Sequence, residues 1–169
     1  AIINTAQSSG TRDVVEWVME HLESGVQFRV YSLHLKASRE NDDAQERLQE
    51  ATILRNYLNE LPSGSHFIVG GDFNIYSNSS STEPAFDMLT AAGADSDGQL
   101  FDPINRIGEW HAETGETDCE FADVHTQSPR TTTFGGGAPG GMDDRFDWIF
   151  ASAAVMEDTY DMTYIDDSY

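Results

Sequence analysis

The chain has 169 residues, a length that fits one domain with a sizeable hydrophobic core. It carries 30 acidic and 9 basic residues, which gives a formal net charge of −21. This charge argues against tight nucleic-acid binding through a basic surface, although a bound metal ion would still attract a phosphate group. The excess of acid is typical of a high-salt habitat, where ions screen the repulsion, or of an acidic extracellular protein.

The single cysteine, Cys119, excludes an internal disulfide bond and leaves the compartment open. The sequence shows neither a signal peptide nor an apolar run long enough to cross a membrane. We expect an extracellular protein, with the cytoplasm of a halophile as the alternative.

The first structural signal lies in residues 13–35. Residues 14–19 are rich in β-formers, a turn signal follows at Glu23, Ser24 and Gly25, and residues 26–35 alternate in polarity. The pattern predicts a β-hairpin that ends near His34. A helix over residues 13–22 is the alternative, because the apolar spacing there is irregular.

Residues 38–61 are predicted to form the clearest helix, because apolar side chains recur at helical spacing. The residues Asn41, Asp42 and Asp43 suit its N-terminus, and Pro62 ends it. A buried strand is predicted next, over residues 66–69. Strand, helix and strand with short connections predict two parallel neighbouring strands.

Two polar side chains follow this second strand. Asp72 comes directly after Gly70 and Gly71, which allow a sharp turn or a close approach, and Asn74 would face the same side if the backbone stays extended. A strand that simply ends in a turn is the alternative, because Asp and Asn are common turn residues. If the strands are neighbours, His34 lies at the same sheet edge, where α/β folds bind ligands.

The second half of the chain is less regular. A short helix is predicted over residues 82–93, with Phe86 and Leu89 inward. Residues 131–134 look like a strand, and residues 135–141 form a glycine-rich connection. Loop and surface positions are predicted for four residues without zinc-ligand spacing: Trp110, His111, Cys119 and His125.

A last strand is predicted over residues 145–151. Phe146, Trp148 and Phe150 alternate on one face, which places Asp147 on the other. A carboxylate in so apolar a strand needs a partner. A structural salt bridge with Arg145 is the alternative to a functional role for Asp147.

Three stretches together resemble the endonuclease/exonuclease/phosphatase superfamily, which has the deoxyribonuclease-I-like fold. They are GGDFN at residues 70–74, SLHLK at residues 32–36 and DDRFDWIF at residues 143–150. The resemblance covers about residues 11–152 and is strongest to secreted bacterial nuclease-like members. It implies an α/β fold, a two-layer β-sandwich flanked by helices, and predicts that residues 1–169 form a single partial domain.

The resemblance also implies a chemistry, the hydrolysis of a phosphodiester by water beside a divalent metal, Mg²⁺ or else Ca²⁺ or Mn²⁺. Asp72 would orient and deprotonate the water, and Asn74 would position it; both would contact the metal. His34 would contact the phosphate, Asp147 would orient a catalytic imidazole, and Arg145 would bind the substrate. The expected partner is nucleic acid or another phosphodiester, with no obligate protein partner and no membrane span.

Two other functions stay open. One is a phosphatase or phospholipase-type enzyme of the same fold, acting on inositol phosphates or sphingomyelin; the other is a non-catalytic binding protein. The resemblance places further metal ligands before residue 1 and a Ser-Asp-His segment after Tyr169. We therefore expect the domain to be incomplete at both ends and the chain alone to be inactive.

Overall fold

The computed structural model describes residues 1–112, 120–135, 137–157 and 162–168. It contains one sheet of five strands, whose spatial order is the order along the chain. The strands are β1 (Ile2–Ile3), β2 (Val14–Glu20), β3 (Gln27–His34), β4 (Phe67–Asp72) and β5 (Asp147–Ala151). Among the strands of the described residues, only β3 and β4 pair in parallel. With three helices, this mixed sheet confirms the α/β class; the second layer of the sandwich is not among the described residues.

The long helix α1 (Asn41–Asn59) connects the parallel pair, as the sequence predicts. At its N-terminus, the side chain of Asp43 accepts a hydrogen bond from the backbone N–H of Glu40 at 3.3 Å. The negative charges of Asp42 and Asp43 in the first turn favour the positive end of the helix dipole. The strand–helix–strand order therefore places the ends of β3 and β4 side by side.

The hairpin of β2 and β3 is also confirmed, and its two strands carry apolar side chains on both faces of the sheet. One face is buried under α1 and the short helix α2 (Pro84–Thr90). The other face leaves Trp17 49% and Ile149 52% exposed. Half-exposed apolar neighbours extend this second face: Val15, Phe28, Val30 and Ile68.

Two predictions about local structure are wrong, and one strand was not predicted. The unpredicted strand is β1, where Ile3 is buried. Residues 131–134 form an exposed loop, because β-forming side chains make a strand only where a neighbouring strand pairs with them. Trp110 and His125 are buried rather than at the surface. Cys119 lies outside the described residues.

The remaining described segments are short. A 3₁₀ turn covers Ala122–Val124 and a last helix, α3, covers Ala153–Met156. Among the helices of the described ranges, none is both long and apolar enough to cross a membrane.

Candidate active site

Three chemically active side chains lie in one row across adjacent strands. His34 is the register partner of Asp72 on the parallel strand, and Asp72 is the partner of Asp147 on the antiparallel strand. The row lies where β3 and β4 end and β5 begins. The structure thus brings together three residues that are far apart in the sequence.

A glycine makes this edge possible. Gly71 has a φ of 143°, and a Cβ atom there would lie 2.1 Å from the carbonyl oxygen of Leu33. Gly70 is different, since its nearest contact would be an ordinary 3.7 Å to the carbonyl oxygen of Trp148. Of the two glycines before Asp72, only Gly71 is therefore required by a close approach of the neighbouring strand.

Asp72 is held by contacts on both of its oxygens. Oδ1 accepts a hydrogen bond from the backbone N–H of Asn74 at 3.0 Å, and Oδ2 lies 3.7 Å from Nε2 of His34. Burial raises the pKa of Asp72, the nearby Asp147 raises it further, and His34 opposes both effects. A carboxylate with a raised pKa is a stronger base than an ordinary surface aspartate.

Asn74 does not continue the extended strand. Its φ of 49° lies in the left-handed region, so the turn that the sequence left open is present. The side-chain Nδ2 donates to the carbonyl oxygen of Leu35 at 3.2 Å, and the residue is buried. Asn74 therefore connects the end of β4 to the end of β3 and still contributes to the wall of the site.

These four residues, His34, Asp72, Asn74 and Asp147, share one cleft with a volume of about 750 Å³. Its other walls come from Arg12, the loop after β3 and Tyr76. Two short stretches complete them: Thr126, Gln127 and Ser128, and then Gly135, Gly137 and Ala138. The cleft is open to solvent, and both polar and apolar groups line it. Its size fits a nucleotide-sized group.

Arg145 does not line the cleft, which corrects its predicted role in substrate binding. Its guanidinium is fully buried and donates to both oxygens of Asp102, each at 2.9 Å. It also lies over the ring of Trp148, 3.5 Å from the centroid. The alternative salt bridge with Asp147 is wrong as well, because Asp147 is exposed while Arg145 lies in the core.

One residue of the cleft wall, Arg39, was not predicted from the sequence. Its Nη1 lies 2.9 Å from Nε2 of His111, and Nδ1 of His111 lies 2.8 Å from Oδ1 of Asp144. Burial raises the pKa of Asp144 to about 6, although the hydrogen bond with His111 opposes this. Only the position of Arg39, in the loop that follows β3, could have indicated this contact from the sequence. His111 and Asp144 carry no such signal, because they are 33 residues apart in the chain.

The donor set partly fits a divalent cation. The described residues contain no cluster of three or more His, Cys, Asp or Glu side chains suited to a metal. Mg²⁺, however, is commonly held by one or two carboxylates together with phosphate oxygens and water. Asp72, with a pKa raised by burial and by Asp147, is a carboxylate whose charge such an ion would stabilise.

Comparison with solved structures identifies the fold. The chain is similar to a humanised D. rerio TDP2 (17% identity, TM-score 0.53), covering 90% of this chain and 49% of that one. It is also similar to an endonuclease/exonuclease/phosphatase family protein from Bacteroides thetaiotaomicron (17% identity, TM-score 0.50), covering 84% of this chain and 42% of that one. The chain thus spans about half the length of the structures it matches.

Comparisons with protein-family models and with curated proteins give no match. The structural matches confirm the α/β fold class that the sequence predicts: the chain has the fold of these two solved structures, one of which is an endonuclease/exonuclease/phosphatase family protein.

Proposed function

We propose that the protein is a divalent-metal-dependent phosphodiester hydrolase, with an endonuclease-like activity as its most specific form. The observation that supports this proposal is the row of His34, Asp72 and Asp147 across three strands at the floor of one cleft. A base and an imidazole within 3.7 Å of each other fit the transfer of protons during attack on a phosphate.

In this proposal Asp72 orients the attacking water and takes its proton, because its raised pKa makes it a suitable base. Asn74, fixed by its bond to Leu35, positions the water beside it. His34 contacts the phosphate from the neighbouring strand, where its imidazole is half-exposed. Asp147 would orient a further imidazole, that of the Ser-Asp-His segment which the resemblance places after Tyr169.

Asp72 and Asn74 would provide oxygen ligands to Mg²⁺, or to Ca²⁺ or Mn²⁺. When bound, the ion supplies positive charge to the phosphate oxygens, which the acidic chain itself provides sparsely. An extracellular site of action, or the cytoplasm of a halophile, fits the acidic composition.

The test is the variant Asp72→Asn in the full product of the gene. Cleavage of a plasmid and of bis(p-nitrophenyl) phosphate is measured with Mg²⁺ and with a chelator. Because the variant lacks the base, the rate is expected to fall by roughly 10²–10⁴-fold. The melting temperature should stay near that of the wild type, since the isosteric amide leaves no cavity.

Asp87→Asn is the matched control, because it makes the same chemical change at an exposed position of α2. Full activity is expected for that variant. The assignment of Asp72 is overturned if Asp72→Asn cleaves as fast as the wild type. Cleavage that continues unchanged in chelator contradicts the metal dependence.

A further inference from the structure

The basic residues of this chain differ in what surrounds their charge. Of the 9 in the sequence, five form ion pairs with carboxylates: Arg29, Lys36, Arg47, Arg106 and Arg145. Arg55 instead donates to a set of backbone carbonyl oxygens. Among the described residues, no carboxylate lies within ion-pair distance of Arg12 or Arg39, and both of these line the cleft.

Arg39 is exposed but held in place. Its Nη1 lies 2.9 Å from Nε2 of His111, and its guanidinium lies 5.1 Å from the ring centroid of Tyr76. Both partners are uncharged acceptors when the imidazole is neutral, so they fix the side chain without forming an ion pair with it. In a chain of −21, a positive charge kept in this way is available to an anionic ligand.

The support behind Arg39 is itself fixed. Asp144 is buried and lies 2.8 Å from Nδ1 of His111, so a proton on Nδ1 leaves Nε2 as the acceptor for Arg39. The loop that carries Arg39 is held from α1, where Nη1 of Arg47 donates to the carbonyl oxygens of Lys36 and Ser38 at 2.9 and 2.7 Å. Hydrogen bonds thus hold both the loop of Arg39 and its guanidinium at the cleft.

We propose that Arg39 binds a second phosphate of the substrate, beside the one that reacts at Asp72, and that His111 is its positioning residue. This inference rests on the proposed function and names the substrate class: a phosphate ester that carries a second phosphate group. A nucleic-acid strand, whose phosphates are diesters, and an inositol bisphosphate, whose phosphates are monoesters, both carry such a second phosphate. A phosphodiester with a cationic choline group does not fit, because Arg39 repels it.

The test measures binding in chelator, so that it does not depend on turnover. Titration calorimetry compares thymidine 3′,5′-bisphosphate, inositol 1,4-bisphosphate, thymidine 5′-monophosphate and phosphocholine. In the wild type at least one bisphosphate is expected to bind more tightly than the monophosphate. Preference for the thymidine bisphosphate indicates a nucleic-acid substrate, and preference for the inositol bisphosphate indicates an inositol phosphate. Arg39→Gln should weaken that bisphosphate about tenfold, the lower end for a charged hydrogen bond, and leave the monophosphate within about twofold.

Two further variants separate position from charge. Arg130→Gln removes the same charge from an exposed arginine that stacks on Phe134, and it should leave both affinities unchanged. His111→Phe keeps the charge of Arg39 but removes its acceptor, so bisphosphate affinity should fall while that of the monophosphate stays. Arg39→Lys should restore part of the loss.

Three results overturn the proposal: bisphosphates that bind no tighter than the monophosphate, an Arg39→Gln variant that keeps the wild-type preference, or equal losses in Arg39→Gln and Arg130→Gln. Its failure is distinct from failure of the proposed function. Binding in chelator can be unaffected by Arg39→Gln while Asp72→Asn still abolishes cleavage, and the reverse can also occur.

Discussion

The core beneath the cleft and the cleft itself use the same charged residue types in opposite ways. In the core, the buried Arg47 and Arg145 each donate to both oxygens of one carboxylate, Glu83 and Asp102 respectively. In the cleft, His34 and Asp72 are half-exposed and lie 3.7 Å apart. The core charges are satisfied by their partners, whereas the cleft charges retain capacity to bind.

The difference follows from the cost of burying charge. A guanidinium that is buried must replace its hydrogen bonds to water with bonds inside the protein. Its donors are then occupied by protein acceptors and cannot bind a ligand. A group at the mouth of a strand keeps part of its hydration and can exchange water for a ligand. The buried ion pairs of this chain therefore stabilise the fold, whereas the partly exposed charges at the sheet edge are able to bind a ligand.

The largest effect on stability is expected when the core pair is broken from one side. Arg145→Met leaves the carboxylate of Asp102 buried without its main partner, which typically costs about 3–5 kcal/mol. Urea unfolding measures the free energy of unfolding of the variant and the wild type. If the free energy of unfolding falls by less than about 1 kcal/mol, the core pair does not stabilise the fold more than exposed charges do, and the prediction is wrong.

Arg106→Met provides the comparison for this prediction. Arg106 forms a similar pair with Asp123, but that carboxylate is 67% exposed. Water replaces the lost partner there, so a much smaller loss of stability is expected than for Arg145→Met.

Glu50 is the exception in the core, and it predicts a dependence on pH. It is fully buried, and Oε2 accepts from the backbone N–H of Lys36 at 2.8 Å, while Oε1 has no hydrogen-bond partner among the described residues. Burial raises the pKa of Glu50 from 4.5 to about 7. Between these pH values the folded state holds a proton that the unfolded state has lost, so stability falls as pH rises.

The size of this effect follows from about 1.4 kcal/mol for each pH unit between the two pKa values, or ~3 kcal/mol in all. Glu50→Gln cannot ionise, so its free energy of unfolding should lose this slope between pH 4.5 and 7. Urea unfolding across that range measures it. Glu60→Gln, an exposed control at the end of α1, should keep the wild-type slope; equal slopes in wild type and Glu50→Gln would contradict the prediction.

The smallest effect is expected from salt, which acts on the exposed acids rather than on the paired core. At 0.01 M salt the Debye length is about 30 Å, so the excess of negative charge repels itself across the domain. The melting temperature should rise from low to molar sodium chloride. A constant melting temperature would mean that the acids are too dispersed to destabilise the fold.

The sequence alone predicted the elements whose signal is local and long. The helical spacing of α1, the alternation of β3 and the abrupt end of β4 at Asp72 all come from residues that are neighbours in the chain. The order strand, helix, strand then predicted that His34 and Asp72 share an edge. Residues 131–134 had β-forming composition without a pairing strand, and that local signal was misleading.

Only the tertiary structure decided which charged residues are paired in the core and which stay available at the cleft. Arg145 stands two positions from Asp147 in the sequence, yet it enters the core to meet Asp102, 43 residues away. Arg39, His111 and Asp144 come together through contacts that span 72 and 33 residues. Spacing in the sequence cannot reveal such partners, because the burial that selects them arises only when distant segments pack.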